Sequence, residues 1–243
     1  MNFYAVIIGT EILNNRREDK HFNFLRDELA KYGHELFASF IIKDDVELIK
    51  QTYELVKKDE KSILFSFGGI GSTPDDLTRA ISAEVFTSKP LQTNEKFKQD
   101  IIDRFKDEAY PHRIHMADLP VGSKLIHNPV NNMSAYYLED RFFFVPGFPS
   151  MAHPMLKGII KEKFNSSEKK YRYTLIAKTS ENTLINLMKE LPDTVELSSL
   201  PMINSKGVSV ELSLSGIDKD EVSKYFDKFK NQLIKQNIEF TIL

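Results

Sequence analysis

Residues 68–78 read GGIGSTPDDLT and follow directly on the apolar run SILFSF at 62–67. A short, continuously apolar segment bounded by glycine reads as a strand buried on both faces. Gly68, Gly69 and Gly71 let the backbone take positive φ and approach a ligand closely. Thr73, Pro74, Asp75 and Asp76 then suit the N-cap, N1, N2 and N3 positions of a helix whose apolar face is Leu77, Ala80, Ile81 and Val85. Strand, glycine loop and helix form the unit from which a parallel sheet is assembled.

The same unit comes twice before it. Residues 3–8 are an apolar strand, and Phe22, Leu25, Leu29 and Tyr32 keep helical spacing up to Gly33, a natural residue for a helix end. LFASFII at 36–42 is a second strand. Asp44 and Asp45 then open a helix with Val46, Ile49, Tyr53 and Val56 as its stripe. Beyond the glycine loop, residues 94–106 predict a further helix, Leu125 and Ile126 a short strand, and FFFV at 142–145 the most apolar strand of the chain. PGFPSMAHPML turns into a helix fading by Phe164. Strands alternating with helices predict an α/β fold with a mostly parallel sheet, covered on both faces through right-handed crossovers.

NSSEKK at 165–170 is polar and aperiodic and reads as a linker, separating a domain at 1–165 from one at 170–243. The tail predicts strand 171–177, helix 181–190, strands 194–199 and 207–214, helix 219–236 and strand 238–242. That βαββαβ order is the ferredoxin-like α+β unit. Asp218 and Glu221 resemble a capping box, and Val222, Tyr225, Phe226, Phe229 and Leu233 form the buried stripe of the last helix.

Composition narrows the function classes. The chain has 243 residues, 41% hydrophobic and 28% charged, which excludes collagen-like, low-complexity and wholly disordered proteins. A net charge of −2 lacks the basic excess of a general nucleic-acid binder. In the tail glycine occurs only at Gly207 and Gly216, so the backbone clamp of a KH module is absent. No cysteine means no disulfide, thiolate zinc site or Cys nucleophile, and suits a reducing compartment. The amino terminus lacks a basic leader and a small-residue cleavage site, and no stretch approaches the ~18 apolar residues that cross a bilayer. A soluble, cytoplasmic protein is expected, with no membrane or nucleic-acid partner.

In an open α/β sheet ligands bind beyond the carboxyl ends of the strands. Those ends carry Gly9, Thr10 and Glu11; Lys43, Asp44 and Asp45; Gly68 to Asp76; and Pro146 to Ser150. Free amides in the glycine loop would suit phosphate. Asp76 at N3 and Asp75 near the helix dipole have structural reasons to exist without a ligand, and one of Asp44 and Asp45 is expected to be a cap. Two or three carboxylates completed by substrate phosphates are how Mg²⁺ or Mn²⁺ is usually held. The loop lacks GK[ST] and the third glycine of GxGxxG, and no GxSxG occurs, so P-loop, Rossmann and serine-hydrolase readings fail. His112 and His115 have ligand-like spacing without an evident acidic partner. His21 would touch a ligand or face solvent, and His153 sits near the site with no partner apparent.

GTEIL at 9–13, Asp19, IKDD at 42–45, GGIGSTPDDLTR at 68–79, Asn128-Pro129 and PGFPSMAHPML at 146–156 occur in the order and spacing of a known pattern. Over residues 3–164 the sequence resembles the amino-terminal domain of the CinA (competence/damage-inducible) family, itself similar to the molybdopterin-binding fold of MoaB and MogA proteins. The tail resembles the small middle domain of CinA proteins; the amidohydrolase domain that often follows would start where this chain stops and is expected to be missing. The resemblance implies a three-layer αβα fold and either of two activities. One is divalent-metal-dependent pyrophosphatase action on ADP-ribose or a related dinucleotide such as FAD; the other is binding or adenylylation of molybdopterin. Relatives of this fold commonly form homo-oligomers, dimers or trimers. The sequence departs from the CinA pattern at Thr10 (usually Asp), His21 (Asn) and Met151 (Glu). Asn131, Asn132, Met133, Ser134 and Ala135 replace a Gly-Thr-Ala-Pro-Gly loop.

The leading expectation is hydrolysis of a nucleotide diphosphate. Asp44, Asp45 and Asp75 would be catalytic and hold Mg²⁺, Mn²⁺ or Co²⁺. Gly9, Glu11, Gly68, Gly69, Gly71, Ser72, Thr73, Asp76, Thr78, Asn128, Pro146, Gly147, Pro149 and Ser150 would bind the nucleotide or pterin, with phosphate on the amides of 69–73. The alternative is a non-catalytic pterin or nucleotide binder in which the acidic residues are mainly caps. An interaction scaffold has no distinctive support in the sequence.

Overall fold

A computed structural model describes residues 1–165, 170–204 and 207–243, and the chain divides into two compact units, Met1–Asn165 and Ser166–Leu243. Most of the stretch expected to be a linker, 166–169, lies outside the described residues.

The first unit runs β1 (Asn2–Ile8), α1 (Thr10–Leu13), α2 (His21–Ala30), β2 (Leu36–Ile42), α3 (Val46–Lys58), β3 (Ser62–Phe67), α4 (Thr78–Ser82), β4 (Leu91–Thr93), α5 (Glu95–Phe105), β5 (Asp118–Pro120), β6 (Lys124–Ile126), β7 (Ala135–Leu138), β8 (Phe142–Val145) and α6 (Pro149–Lys163). Its six-stranded sheet has the order β2-β1-β3-β8-β7-β6. The first four strands are parallel, so their carboxyl ends share one edge; β7 and β6 extend the sheet by antiparallel pairing.

Side chains alternate across a strand, and the core is divided accordingly. Tyr4, Val6, Ile8, Leu64 and Phe144 pack on one face with Ile49, Tyr53 and Val56 of α3 and Phe97 and Ile101 of α5. Phe3, Ala5, Ile7, Phe65 and Phe143 pack on the other with Leu25 and Leu29 of α2 and Leu156 and Ile160 of α6. The result is the three-layer αβα arrangement.

Several local readings differ. The sequence reading does not register β4 and β5, and the helix expected at 181–190 is a 3-10 turn at Glu181–Thr183 and a short helix at Ile185–Lys189. The helix after the glycine loop starts at Thr78 and passes into a π turn over Ala83–Thr87, so Thr73 to Asp76 form a turn before it rather than its first turn. Ala135–Leu138 is a strand, and Thr10–Leu13 a single helical turn; both are too short for periodicity to register.

The second unit contains β9 (Tyr171–Ala177), α7 (Ile185–Lys189), β10 (Glu196–Asn204), β11 (Gly207–Gly216), α8 (Lys219–Lys235) and β12 (Phe240–Ile242). Its antiparallel sheet has the order β10-β11-β9-β12, the ferredoxin-like arrangement. Val222, Phe226, Phe229 and Leu233 of α8 pack on Leu175, Leu212 and Leu214. Asp218 caps α8 through the amides of Asp220 and Glu221, but the Glu221 carboxylate accepts from Thr194 Oγ1 instead of completing the box. Among the described residues no helix is long and apolar enough to cross a membrane.

Candidate functional site

At the carboxyl end of β1, Thr10 donates to Asp44 Oδ2 through both its backbone N and its Oγ1, each at 2.8 Å. Asp44 therefore ties the end of β2 to the turn after β1. Asp45 is the helix cap of the pair: its Oδ1 accepts from Leu48 N at 2.9 Å. Glu11 stands 3.7 Å from Arg17.

The glycine loop is closed by its own acid. Asp76 Oδ1 accepts from Gly71 N at 2.8 Å, and Oδ2 accepts from Thr73 N and Thr73 Oγ1, both at 2.7 Å. Two of the amides expected to greet a phosphate are thus already satisfied inside the loop, and Asp76 is a clasp rather than an N3 cap. Asp75 is exposed.

Beneath the loop, Gly68 has φ +100° and sits so close to β1 that a Cβ would fall 2.5 Å from Ile8 O. Gly147 packs on it, its own Cβ position 3.3 Å from Gly68 Cα. Thr78 Oγ1 donates to Gly68 O at 2.9 Å. Gly68 and Thr78 thus build the wall from behind.

Arg79, which sequence reasoning missed, is the other fastener. Its guanidinium donates to Gly71 O at 2.6 Å and to His115 O, joining the glycine loop to the segment before β5. It is buried, and burial, the dominant influence, pulls its pKa down. The available signal was a lone cation in an α4 otherwise made of Thr, Ala, Ile and Ser.

These parts enclose a cavity of about 430 Å³ beside the carboxyl ends of β3 and β8. Gly69, Gly71, Ser72, Thr73, Asp76, Asn128, Pro146 and Gly147, all expected at the site, line it. Phe97, Phe105, Met116, Met133 and Phe148 make it largely apolar, and Arg113 adds a cation paired with Glu108 at 2.7 Å. Asn131 and Met151, two of the departures from the CinA pattern, also line the cavity and touch each other, Asn131 Nδ2 donating to Met151 Sδ at 3.1 Å.

Gly9, Glu11, Asp44, Asp45, Asp75, Pro149 and Ser150 do not line this cavity. Nor do the three aspartates form one donor set: Asp44 is bonded to Thr10, Asp45 caps α3 and Asp75 is exposed. Among the described residues no group of three or more His, Cys, Asp or Glu could hold a metal ion. The donor set expected for Mg²⁺, Mn²⁺ or Co²⁺ therefore does not fit a resident ion.

The histidines resolve differently from their sequence reading. His21 is buried, stacked on Phe67, and donates through Nε2 to Gly147 O at 3.2 Å. That bond leaves His21 Nδ1 as the acceptor for His153 Nε2 at 3.2 Å, while His153 stacks on Phe24. Burial lowers both pKa values; for His153 burial and then His21 take it to about 4. Both rings are neutral at pH 7 and brace the Gly147 peptide. His115 has an acidic partner after all, Asp118, at 2.9 Å.

A larger groove of about 980 Å³, lined by Lys50, Lys57, Lys58 and Lys89 among others, lies between α3 and β4, and no strand carboxyl end reaches it.

Residues 4–165 match the family model described as a probable molybdopterin binding domain. The chain belongs to that family. A CinA-like protein of Fusobacterium nucleatum is 26% identical over 233 residues, 93% of this chain and 57% of that relative. A protein of Archaeoglobus fulgidus is 26% identical over 235 residues and is covered over 98% of its length. The molybdopterin-binding-family chain thus spans little more than half the length of the first of these relatives. The crystal structure of CinA from Thermoplasma acidophilum, described as of unknown function, superposes with a TM-score of 0.60 and 25% identity over 66% of this chain and 96% of its own.

Proposed function

We propose that the first unit binds a nucleotide or pterin carrying a phosphate ester, with the ring system in the cavity beneath the glycine loop. The observation that carries this reading is the cavity itself. It is bounded by the loop that Asp76 and Arg79 hold in place, and its lining is mostly apolar with a few polar groups, as a site for a flat heterocycle requires. Phe105 and Met133 offer surfaces to stack on, and the cavity lies where open α/β sheets bind ligands. Membership of the molybdopterin-binding-domain family supports the pterin half of the proposal.

Diphosphate hydrolysis has less support: Asp44 is bonded to Thr10, Asp45 caps α3, and the three aspartates are not gathered into one donor set among the described residues. One assay separates the two. ADP-ribose, FAD and NAD are incubated with Mg²⁺, Mn²⁺ or Co²⁺, AMP release is followed, and binding is measured in parallel by calorimetry. Binding without release is the expected result. Metal-dependent release would establish an enzyme, and absence of binding by nucleotides and pterins alike would refute the proposal.

A further inference from the structure

β2 closes one side of the six-stranded sheet and pairs with β1, and among the described residues no strand meets its outer edge. Its sequence, LFASFII, carries neither a charge nor a proline. Proteins usually blunt such an edge with lysine, proline or a covering segment, because its unpaired N–H and C=O groups otherwise recruit another strand. A register shift at Phe37 disturbs one end, but from Ala38 to Ile42 the strand is regular.

The flanks of this edge are apolar as well. Ser39 and Ile41 are in register with Ala5 and Ile7, which places them on the α2 side of the sheet. Phe22 of α2 and Phe37, whose ring is 63% exposed, line a groove of about 390 Å³ there. On the other face α3 crosses β1 to reach β3. Lys50 and Lys57 of α3 donate to Glu84 and to Val85 O in the turn after α4, on the side away from β2. At about 100° per residue Leu48 and Leu55 fall on the opposite flank, toward β2, and both are exposed. Exposed apolar side chains scattered singly are ordinary; Phe22, Phe37, Ile41, Leu48 and Leu55 are gathered around one free strand.

We infer that the β2 edge joins two copies of this chain, β2 pairing antiparallel with its own copy about a twofold axis normal to the sheet. The edge fits a second copy because it is self-complementary: in an antiparallel pair of identical strands each supplies the N–H and C=O groups that the other lacks. The axis keeps each face on its own side, so the apolar flank of α3 looks onto the partner's α3 and that of α2 onto the partner's α2. No charged side chain stands on the strand to oppose the pairing. The two strands run in opposite directions, so the two cavities lie at opposite edges of the joined sheet and each stays within one chain.

Light scattering on a sizing column gives the mass of the full chain at micromolar concentration, and twice the chain's 28.1 kDa is expected. Ile41→Lys, which sets an unpaired charge into the interface, should weaken the dimer at least ~100-fold while circular dichroism stays that of the folded chain. The chain has no cysteine. Ser39→Cys, at the middle of β2 and next to the axis, should therefore be captured as a covalent dimer by a short bis-maleimide, and Glu95→Cys on α5 should not. A monomeric or trimeric wild-type chain overturns the inference whether or not either variant folds. So does a dimer that Ile41→Lys leaves intact and that Ser39→Cys does not capture, since its contact would then lie elsewhere.

Discussion

Thr10 and Asp44 form a closed pair at the carboxyl ends of β1 and β2: the Thr10 amide and hydroxyl both donate to one oxygen of Asp44, each at 2.8 Å. The CinA pattern has Asp at this position, which would set two carboxylates together. Threonine replaces the charge repulsion with a hydrogen bond and removes the feature of a paired carboxylate site that favours a divalent cation. Thr10→Asp should therefore lose about 1–3 kcal/mol of stability in the absence of metal. It should also gain a rise in melting temperature on adding Mn²⁺ that the unaltered chain lacks. Melting curves with and without the metal decide it; identical metal response in the two proteins would refute this account of the pair.

The two neighbouring aspartates should separate cleanly. Asp45 caps α3 through Leu48 N, so Asp45→Ala should cost about 1 kcal/mol and Asp45→Ser much less. Neither should change ligand affinity, since Asp45 is not at the cavity. A large affinity loss with unchanged stability would return Asp45 to the binding machinery.

Within the glycine loop, Asp76 and Asp75 differ in the same way. Asp76→Asn keeps one acceptor oxygen where three donors now converge on two. It should cost about 1–3 kcal/mol and weaken ligand binding by loosening the loop. Asp75→Asn, at an exposed position, should stay within about 0.5 kcal/mol and leave affinity unchanged. If Asp75→Asn instead lowers a measured turnover by ~100-fold without changing the melting temperature, Asp75 takes part in chemistry.

The His21–His153 contact predicts a pH dependence. Both pKa values are lowered by burial, His153 from 6.5 to about 4. A base whose folded pKa is depressed binds more protons when unfolded, so the stability is present above about pH 6.5 and is lost as pH falls from there towards 4. Because the His153 ring is partly solvated, its share is about 1 kcal/mol rather than the full value of the shift. His153→Gln should flatten the dependence of melting temperature on pH between these limits. An unchanged slope would mean that other groups dominate acid unfolding.

Strand and helix identities along the first unit were legible because each depends on nearby residues. FFFV can only be a buried strand, and Ile49, Tyr53 and Val56 can only be one helical face. The convergence of the loops after β1, β2, β3 and β8 on one edge also followed from parallel pairing alone. By the same local logic the glycine loop announced a close backbone approach, and the family pattern its fold.

What tertiary structure decided was which polar group meets which. Whether Asp44 or Asp45 is the cap depends on a hydrogen bond to Thr10, 34 positions away. Whether the loop amides are free depends on the turn that swings Asp76 back onto them, and no propensity encodes that turn. His21 meets His153 across 132 positions, and Arg79 reaches His115 across 36. Apolar patterning is periodic and local, so the sequence displays it directly. The partners of buried polar groups are set by distance and direction in space, which a linear pattern does not carry.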